Sequence, residues 1–298
     1  MIPYVYEPEV DYGRAVDLAK GVRRVTARNP GPFTYTGTGT YLVGTDTLAV
    51  IDPGPDDKNH LQALIAAIGK APVKAILITH RHRDHCPLAR ALSRETGAPV
   101  MAAPGPDHTH APASAVTEAV AIEEDIDALF QADVHLVEGQ QIDLGDQSLR
   151  VLETPGHSRD HLCFALDPTG GLFCGDHIMG WSTSVIAPPD GHMGAYMASL
   201  KRVQAEGFSV LWPTHGPPIT TPAPFIEACI HHRLRREQQI LRAVHRGYST
   251  PLELVAELYS DVDRRLWPAA SLSVRAHLEH LEDQGRVILQ QGQWQPVG

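Results

Sequence analysis

The sequence predicts an α/β domain over residues 1–222 followed by a small α+β module over residues 223–298. Two observations carry the first part: short β-branched or apolar runs bordered by turn residues, and apolar positions at helical spacing between some of them. A change of composition after the Pro-rich stretch 217–224 marks the second. A chain of 298 residues has the length for one large domain plus an appendage.

Strands are expected at 40–43, 48–51, 75–78, 149–152, 162–165, 172–174 and 210–212. Leu61, Leu64, Ile65 and Ile68 follow the i, i+3, i+4, i+7 spacing of one helix, and Tyr196, Leu200 and Val203 indicate another. In the second module, Ile226, Ile230, Leu234, Leu241 and Val244 mark one face of a long helix over 225–246. Thr250-Pro251-Leu252-Glu253 has the form of a capping box with Pro at the first helical position, opening a helix through Tyr259. A third helix fits 273–284, with Gly285 as its stop. Residues 286–289 then turn through Gln291-Gly292 toward Trp294. Three helices and a hairpin make a winged-helix-like module.

Hydrophobic content of 43% with 20% charged residues describes an ordinary globular chain, and no apolar run approaches the ~18 residues of a membrane span. Met1 to Val10 lacks a basic region followed by an apolar core, so a cytoplasmic location is expected and a membrane partner is not. Four cysteines make no disulfide framework and are expected as buried free thiols. A net charge of -10 disfavours duplex DNA, whose affinity comes from Lys and Arg. The composition is unusual in its 17 histidines, and histidine is the commonest metal ligand.

Four strand ends run into His or Asp: Ile78 into Thr79-His80, Leu152 toward His157, Cys174 into Gly175-Asp176, and Trp212 toward His215. The first continues as Thr79-His80-Arg81-His82-Arg83-Asp84-His85, three imidazoles and a carboxylate within six residues. In a tight loop His80 and His82 can face one point while Asp84 and His85 reach a second. Imidazole nitrogen with carboxylate oxygen suits zinc, and also manganese or iron. Seven residues suffice for two metals: His80, His82 and His157 on one, Asp84, His85 and His215 on the other, with Asp176 bridging.

The segment Thr79 to His85 resembles the His-x-His-x-Asp-His signature of the metallo-β-lactamase superfamily, and the remaining ligands follow in that family's order. Asn29-Pro30-Gly31-Pro32, Gly39-Thr40-Tyr41-Leu42-Val43-Gly44 and Asp52-Pro53-Gly54 resemble its opening strands. Arg236-Glu237-Gln238-Gln239-Ile240 is similar to the lactamase-like protein 2 branch. The resemblance implies an αββα sandwich with a small C-terminal winged-helix-like α+β domain, two Zn2+ ions (Mn2+ or Fe2+ being suited to the same donors), and hydrolysis. Cys86-Pro87 departs from the glycine pair of many relatives and affects local loop shape only.

Paired metals lower the pKa of a shared water from ~15.7 toward ~7, which supplies a hydroxide nucleophile at neutral pH. Asp84 is expected to orient that nucleophile or shuttle its proton. The centre stays positive after Asp84 and Asp176 are counted, which favours an anionic or carbonyl-containing substrate. The resemblance puts single-stranded RNA slightly ahead of an acyl thioester, the latter as in glyoxalase II or a carrier-protein thioesterase with an acyl carrier as partner. Behind these come a β-lactam hydrolase, a mononuclear iron dioxygenase using His80, His157 and Asp176, and a winged-helix DNA-binding regulator. Arg233, Arg235, Arg236, Arg242 and Arg246 suggest a basic stripe on the long helix, equally readable as a solvated face. Glu279, Glu282 and Asp283 beside Arg275 argue against DNA recognition and for a wall or lid over the site. His161, Trp181 and Arg236 are the candidate substrate-binding residues. His177, His192, His231 and His232 are read as ordinary histidines, and His108 with His110 as a surface pair.

Overall fold

The computed structural model describes residues 1–7, 9–105, 126–260 and 263–297; His108 and His110 lie outside them. The first sheet holds β1 (Ala15–Ala19), β2 (Val22–Thr26), β3 (Gly39–Val43), β4 (Leu48–Ile51), β5 (Val73–Leu77), β6 (Val100–Ala102) and β7 (Val134–His135), neighbours in chain order. The second holds β8 (Gln141–Asp143), β9 (Ser148–Glu153), β10 (Leu162–Asp167), β11 (Gly171–Gly175) and β12 (Val210–Pro213), also stacked in order. Seven of these strands coincide with the apolar runs in the sequence.

The runs are apolar throughout because both faces of each sheet are covered. Tyr41, Val43, Ala49, Ile51, Ala75 and Leu77 point inward against Val151, Phe164, Phe173 and Trp212 of the second sheet. Their sequence neighbours Leu42, Val50 and Ile76 point outward onto α1 (Lys58–Ile68) and α2 (Ala89–Thr96). On the far side, Cys163, Ala165, Leu172 and Cys174 meet α3 (Met193–Glu206) and the first half of α4 (Pro222–His245). Helix, sheet, sheet, helix is the four-layer order expected. All four cysteines are buried free thiols.

The second half of α4 packs with α5 (Pro251–Leu258), α6 (Trp267–Asp283), β13 (Val287–Gln290) and β14 (Gln293–Pro296) around Ile240, Val244, Leu254, Leu278 and Trp294. The capping box at Thr250 and Glu253 is formed. Gln291 and Gly292 both take positive φ, 49° and 78°, as a two-residue hairpin turn requires. Helix α6 starts six residues before the expected Ser273, because Pro268 sits at its first turn, where a missing N–H costs nothing. The long helix also differs from its apolar pattern. Leu234 is 41% exposed, and the buried stripe runs instead through Cys229, Arg233, Glu237, Ile240 and Val244. Among the described residues no helix is long and apolar enough to cross a membrane.

Candidate metal centre

Strands β4 and β5 run parallel, as do β11 and β12, and the Thr214 hydroxyl just after β12 bonds Asp52 just after β4 at 3.0 Å, so the carboxyl ends of both pairs open on the same rim of the sandwich. Every residue picked out at a strand end arrives there. His80 Nε2 and His157 Nε2 stand 2.9 and 3.2 Å from His82 Nδ1. A single proton on that Nδ1 can satisfy only one of the two. Donors bound tetrahedrally to one ion at ~2.0–2.1 Å stand roughly 3.3 Å apart, close to the 3.2 Å between His157 and His82 and somewhat longer than the 2.9 Å between His80 and His82. Across from this triad, Asp84 Oδ2 lies 3.0 Å from His215 Nε2 and 3.4 Å from His85 Nε2. Asp176 faces both groups: its Oδ2 is 3.4 Å from His215 Nε2, 3.6 Å from His85 Nε2 and 4.0 Å from His157 Nε2.

The outer nitrogens fix the ring orientations. His157 Nδ1 bonds the Val185 carbonyl at 2.7 Å, His215 Nδ1 the Gly37 carbonyl at 3.1 Å, and His85 Nδ1 the Asp52 carboxylate at 2.9 Å. These acceptors hold a proton at each Nδ1 and leave Nε2 turned toward the cluster. The Thr79 hydroxyl donates to Asp52 at 2.8 Å and so accepts from His80 Nδ1 at 3.0 Å. Asp52, fully buried, also accepts from the Thr79 N–H and the Thr214 hydroxyl. Asp52, Thr79 and Thr214 escaped the sequence reading. A signal was available, since Asp52-Pro53-Gly54 closes strand β4 with an acid in the same way that Gly175-Asp176 closes β11.

Electrostatics divide the cluster. Burial, then His157, pushes the His82 ring down to about 3, and burial holds His80 well below its usual range as well. Burial also works against charge on His215, yet Asp176 and Asp84 outweigh it and raise that ring to about 10. The same balance raises His85, and its counterpart holds Asp84 and Asp176 below the ordinary carboxylate range. The acidic side thus calls for positive charge. Asp84 Oδ1, Asp176 Oδ1 and His85 Nε2 are buried with no hydrogen-bond partner, which is costly unless a cation completes them. The donor set, mixed imidazole and carboxylate, fits metal ions.

His161 sits behind this cluster, 1% exposed, and its Nε2 accepts the Asp176 N–H at 3.2 Å while Nδ1 meets the Thr154 hydroxyl. Trp181 stacks on Tyr35 with centroids 5.0 Å apart and, with Arg236, lines a cavity beside the centre. Of the histidines read as ordinary, His192 caps α3 by accepting the Ala195 N–H, and His232 lines the same cavity as Arg236.

Gly156 sets the position of His157. Its φ is +142°, and a Cβ there would stand 2.3 Å from the Tyr196 Cα of helix α3, backbone that cannot rotate aside. Gly156→Ala should therefore cost about 2 kcal/mol or more and displace His157 from the triad. A Tm lower by several degrees together with weaker zinc retention is the expected result; an unchanged Tm would show that the loop and helix separate without cost.

Residues 36–215 match the model of the Metallo-beta-lactamase superfamily, and residues 250–294 match that of the Beta-lactamase associated winged helix domain. The chain belongs to the metallo-beta-lactamase superfamily. Within it, the chain is 32% identical over 287 residues to the Beta-lactamase-like protein 2 homolog of Drosophila melanogaster, covering 91% of this chain and 90% of that one. It is 31% identical over 261 residues to the Atrochrysone carboxyl ACP thioesterase of Aspergillus novofumigatus, covering 82% of this chain and 72% of that one. A beta-lactamase domain protein from Burkholderia ambifaria shares the fold with a TM-score of 0.80 at 19% identity, covering 99% of this chain and 97% of the other. Membership of this superfamily makes the chain a metal-dependent hydrolase, and its His/Asp cluster is fit for a metal site.

Proposed function

We propose that the protein hydrolyses acyl thioesters with two divalent metal ions, zinc by preference of the donors, held by His80, His82 and His157 and by Asp84, His85 and His215, with Asp176 shared. The ions would supply an activated water and an electrophilic partner for the substrate oxygen. Asp84, 9% exposed and carrying an unpartnered Oδ1, is the carboxylate placed to hold or accept the water's proton. Asp52, Thr79 and the carbonyls of Gly37 and Val185 keep the imidazoles aimed. The catalytic part is taken as residues 1–222 and the winged-helix part as 223–298, joined by a helix whose two halves serve separate cores.

The observation that favours a thioester over RNA is the fate of the arginines on α4. A strand of phosphates needs a continuous exposed row of cations. Arg233 is buried and donates to the Ser184 carbonyl, and Arg236 donates to the Leu258 carbonyl. Arg242 folds onto the carbonyl of Gln238 in its own helix, and Arg246 is paired with Glu257. Arg275 on α6 is paired with Glu279 as well, at 2.7 Å. The expected stripe is thus broken: Arg233 and Arg236 turn inward and Arg246 is paired with an acid, which among the described residues leaves Arg235 and Arg242 as its exposed cations without a carboxylate, and the similarity to a fungal ACP thioesterase agrees with the thioester reading.

Zinc-loaded protein should release free thiol from acyl pantetheine and from an acylated carrier protein, and end-labelled single-stranded RNA should stay intact beside it. RNA cleavage without thiol release would reverse the assignment.

A further inference from the structure

A cavity of about 310 Å³ lies between the catalytic domain and the winged-helix module. Its floor is the segment just after the bridging Asp176, including Met179, Trp181 and Val185; Phe33 closes one side and Leu266 with Ala270 the other. Two guanidiniums, Arg233 and Arg236, reach it from α4. It adjoins the metal centre through shared backbone. The Val185 carbonyl holds His157 Nδ1, while the preceding carbonyl, Ser184, holds Arg233. A Cβ on Gly216, next to His215, would stand 2.9 Å from Trp181.

The charge in this cavity is uncompensated. Arg233 is 5% exposed, and among the described residues neither it nor Arg236 is ion-paired with a carboxylate. Glu237, on the same helix, turns instead toward His280 and Arg286. Arg233 has the Ser184 carbonyl and the face of Tyr196; Arg236 has the Leu258 carbonyl and the face of Tyr259, with its Nε buried and unpartnered. His232, at the same cavity, is pushed down to about 4 by burial and then by these two cations, so it adds no charge at neutral pH. A buried cation without an anion is costly, which makes the cavity a receptor for one.

We propose that this cavity is the acyl pocket of the enzyme and that it takes a compact aromatic acyl group bearing a carboxylate, the rings against Trp181, Met179 and Leu266 and the carboxylate on Arg236 and Arg233. The inference rests on the thioesterase reading for its place in the reaction but concerns binding, which is measurable separately. The volume is at the low end for organic ligands, which suits one or two fused rings rather than a long chain. A nucleotide also joins rings to an anion, and Ser182, Thr183 and Ser273 in the lining offer a base edge hydroxyls to pair with, so a nucleotide is the competing ligand in the test.

The test is titration of the zinc-loaded protein with 2-naphthoate, its uncharged methyl ester and adenosine monophosphate, followed by tryptophan fluorescence and calorimetry. Naphthoate should bind at least tenfold more tightly than the ester or the nucleotide, and Arg236→Met should weaken naphthoate about tenfold while leaving the ester unchanged. Arg236→Lys, which keeps the charge but not the fork, should fall between. Equal naphthoate binding by Arg236→Met would show that Arg236 does not hold the carboxylate and overturn the proposal, as would preference for the nucleotide. Failure of thiol release with naphthoate still bound through Arg236 would remove the thioesterase reading and leave the pocket standing.

Discussion

Asp176→Asn should leave the fold intact and lower thioester hydrolysis on the order of 10³-fold, about 4 kcal/mol of barrier. The amide keeps the size of the carboxylate but loses its charge. The backbone N–H of Asp176, which donates to His161 Nε2, is untouched, so the loop after β11 stays where it is. What changes is the atom within 4.0 Å of imidazoles from both groups, Oδ2 toward His85, His157 and His215. A neutral oxygen there would offset the repulsion between two dications poorly, and bound zinc should drop from two ions toward one. Metal content by mass spectrometry, kcat/KM and Tm are the three readings. A variant that retains two zinc ions and nearly full activity would show that Asp176 is not shared between the groups, whereas a single zinc ion in the unaltered protein would sink the two-metal reading.

Much of this centre is legible in the sequence because its ligands sit where strands end. Strand runs such as 48–51 and 172–174 stand out since both faces of each sheet are buried, so alternation gives way to continuous apolar letters. His80 to His85, His157, Asp176 and His215 then follow as polar residues at the ends of those runs. The shell that aims them is hidden: Asp52 looks like a turn acid, and the carbonyls of Gly37 and Val185 have no letter at all. Strands β6, β7 and β8 are too short, at two or three residues, to show a pattern. Periodicity failed most instructively on α4. Reading apolar letters alone puts Leu234 in the stripe, whereas Arg233 occupies it because the helix faces a cavity there, and Glu237 because it turns toward His280 and Arg286. The departure from the apolar pattern marks the place where the helix stops being only structural.

Asp52→Ala should be the more damaging change for the protein as a whole, even though Asp52 stands behind His85 and is not one of the proposed metal-holding residues. Four donors converge on its side chain: the Thr79 N–H at 2.8 Å, the Thr79 hydroxyl at 2.8 Å, the Thr214 hydroxyl at 3.0 Å and His85 Nδ1 at 2.9 Å. Removing the acceptor strands these donors in a fully buried site, at about 1–3 kcal/mol for each that finds no new partner. Against a total stability of about 5–15 kcal/mol, two such losses are severe. The backbone adds to it, since Asp52 has φ of 50°, a region where Asp is tolerated better than Ala. Asp52→Asn is no gentle control, because its amide NH2 would turn a donor toward the hydroxyls and the imidazole that Asp52 now accepts from. Both variants should show a Tm lower by many degrees, and any folded fraction should yield zinc to a chelator at about 10–100-fold lower chelator concentration. A normal Tm for Asp52→Ala would mean that Thr79 and Thr214 find other acceptors, and the aim of His85 would then have to come from packing against His80 and His215 alone.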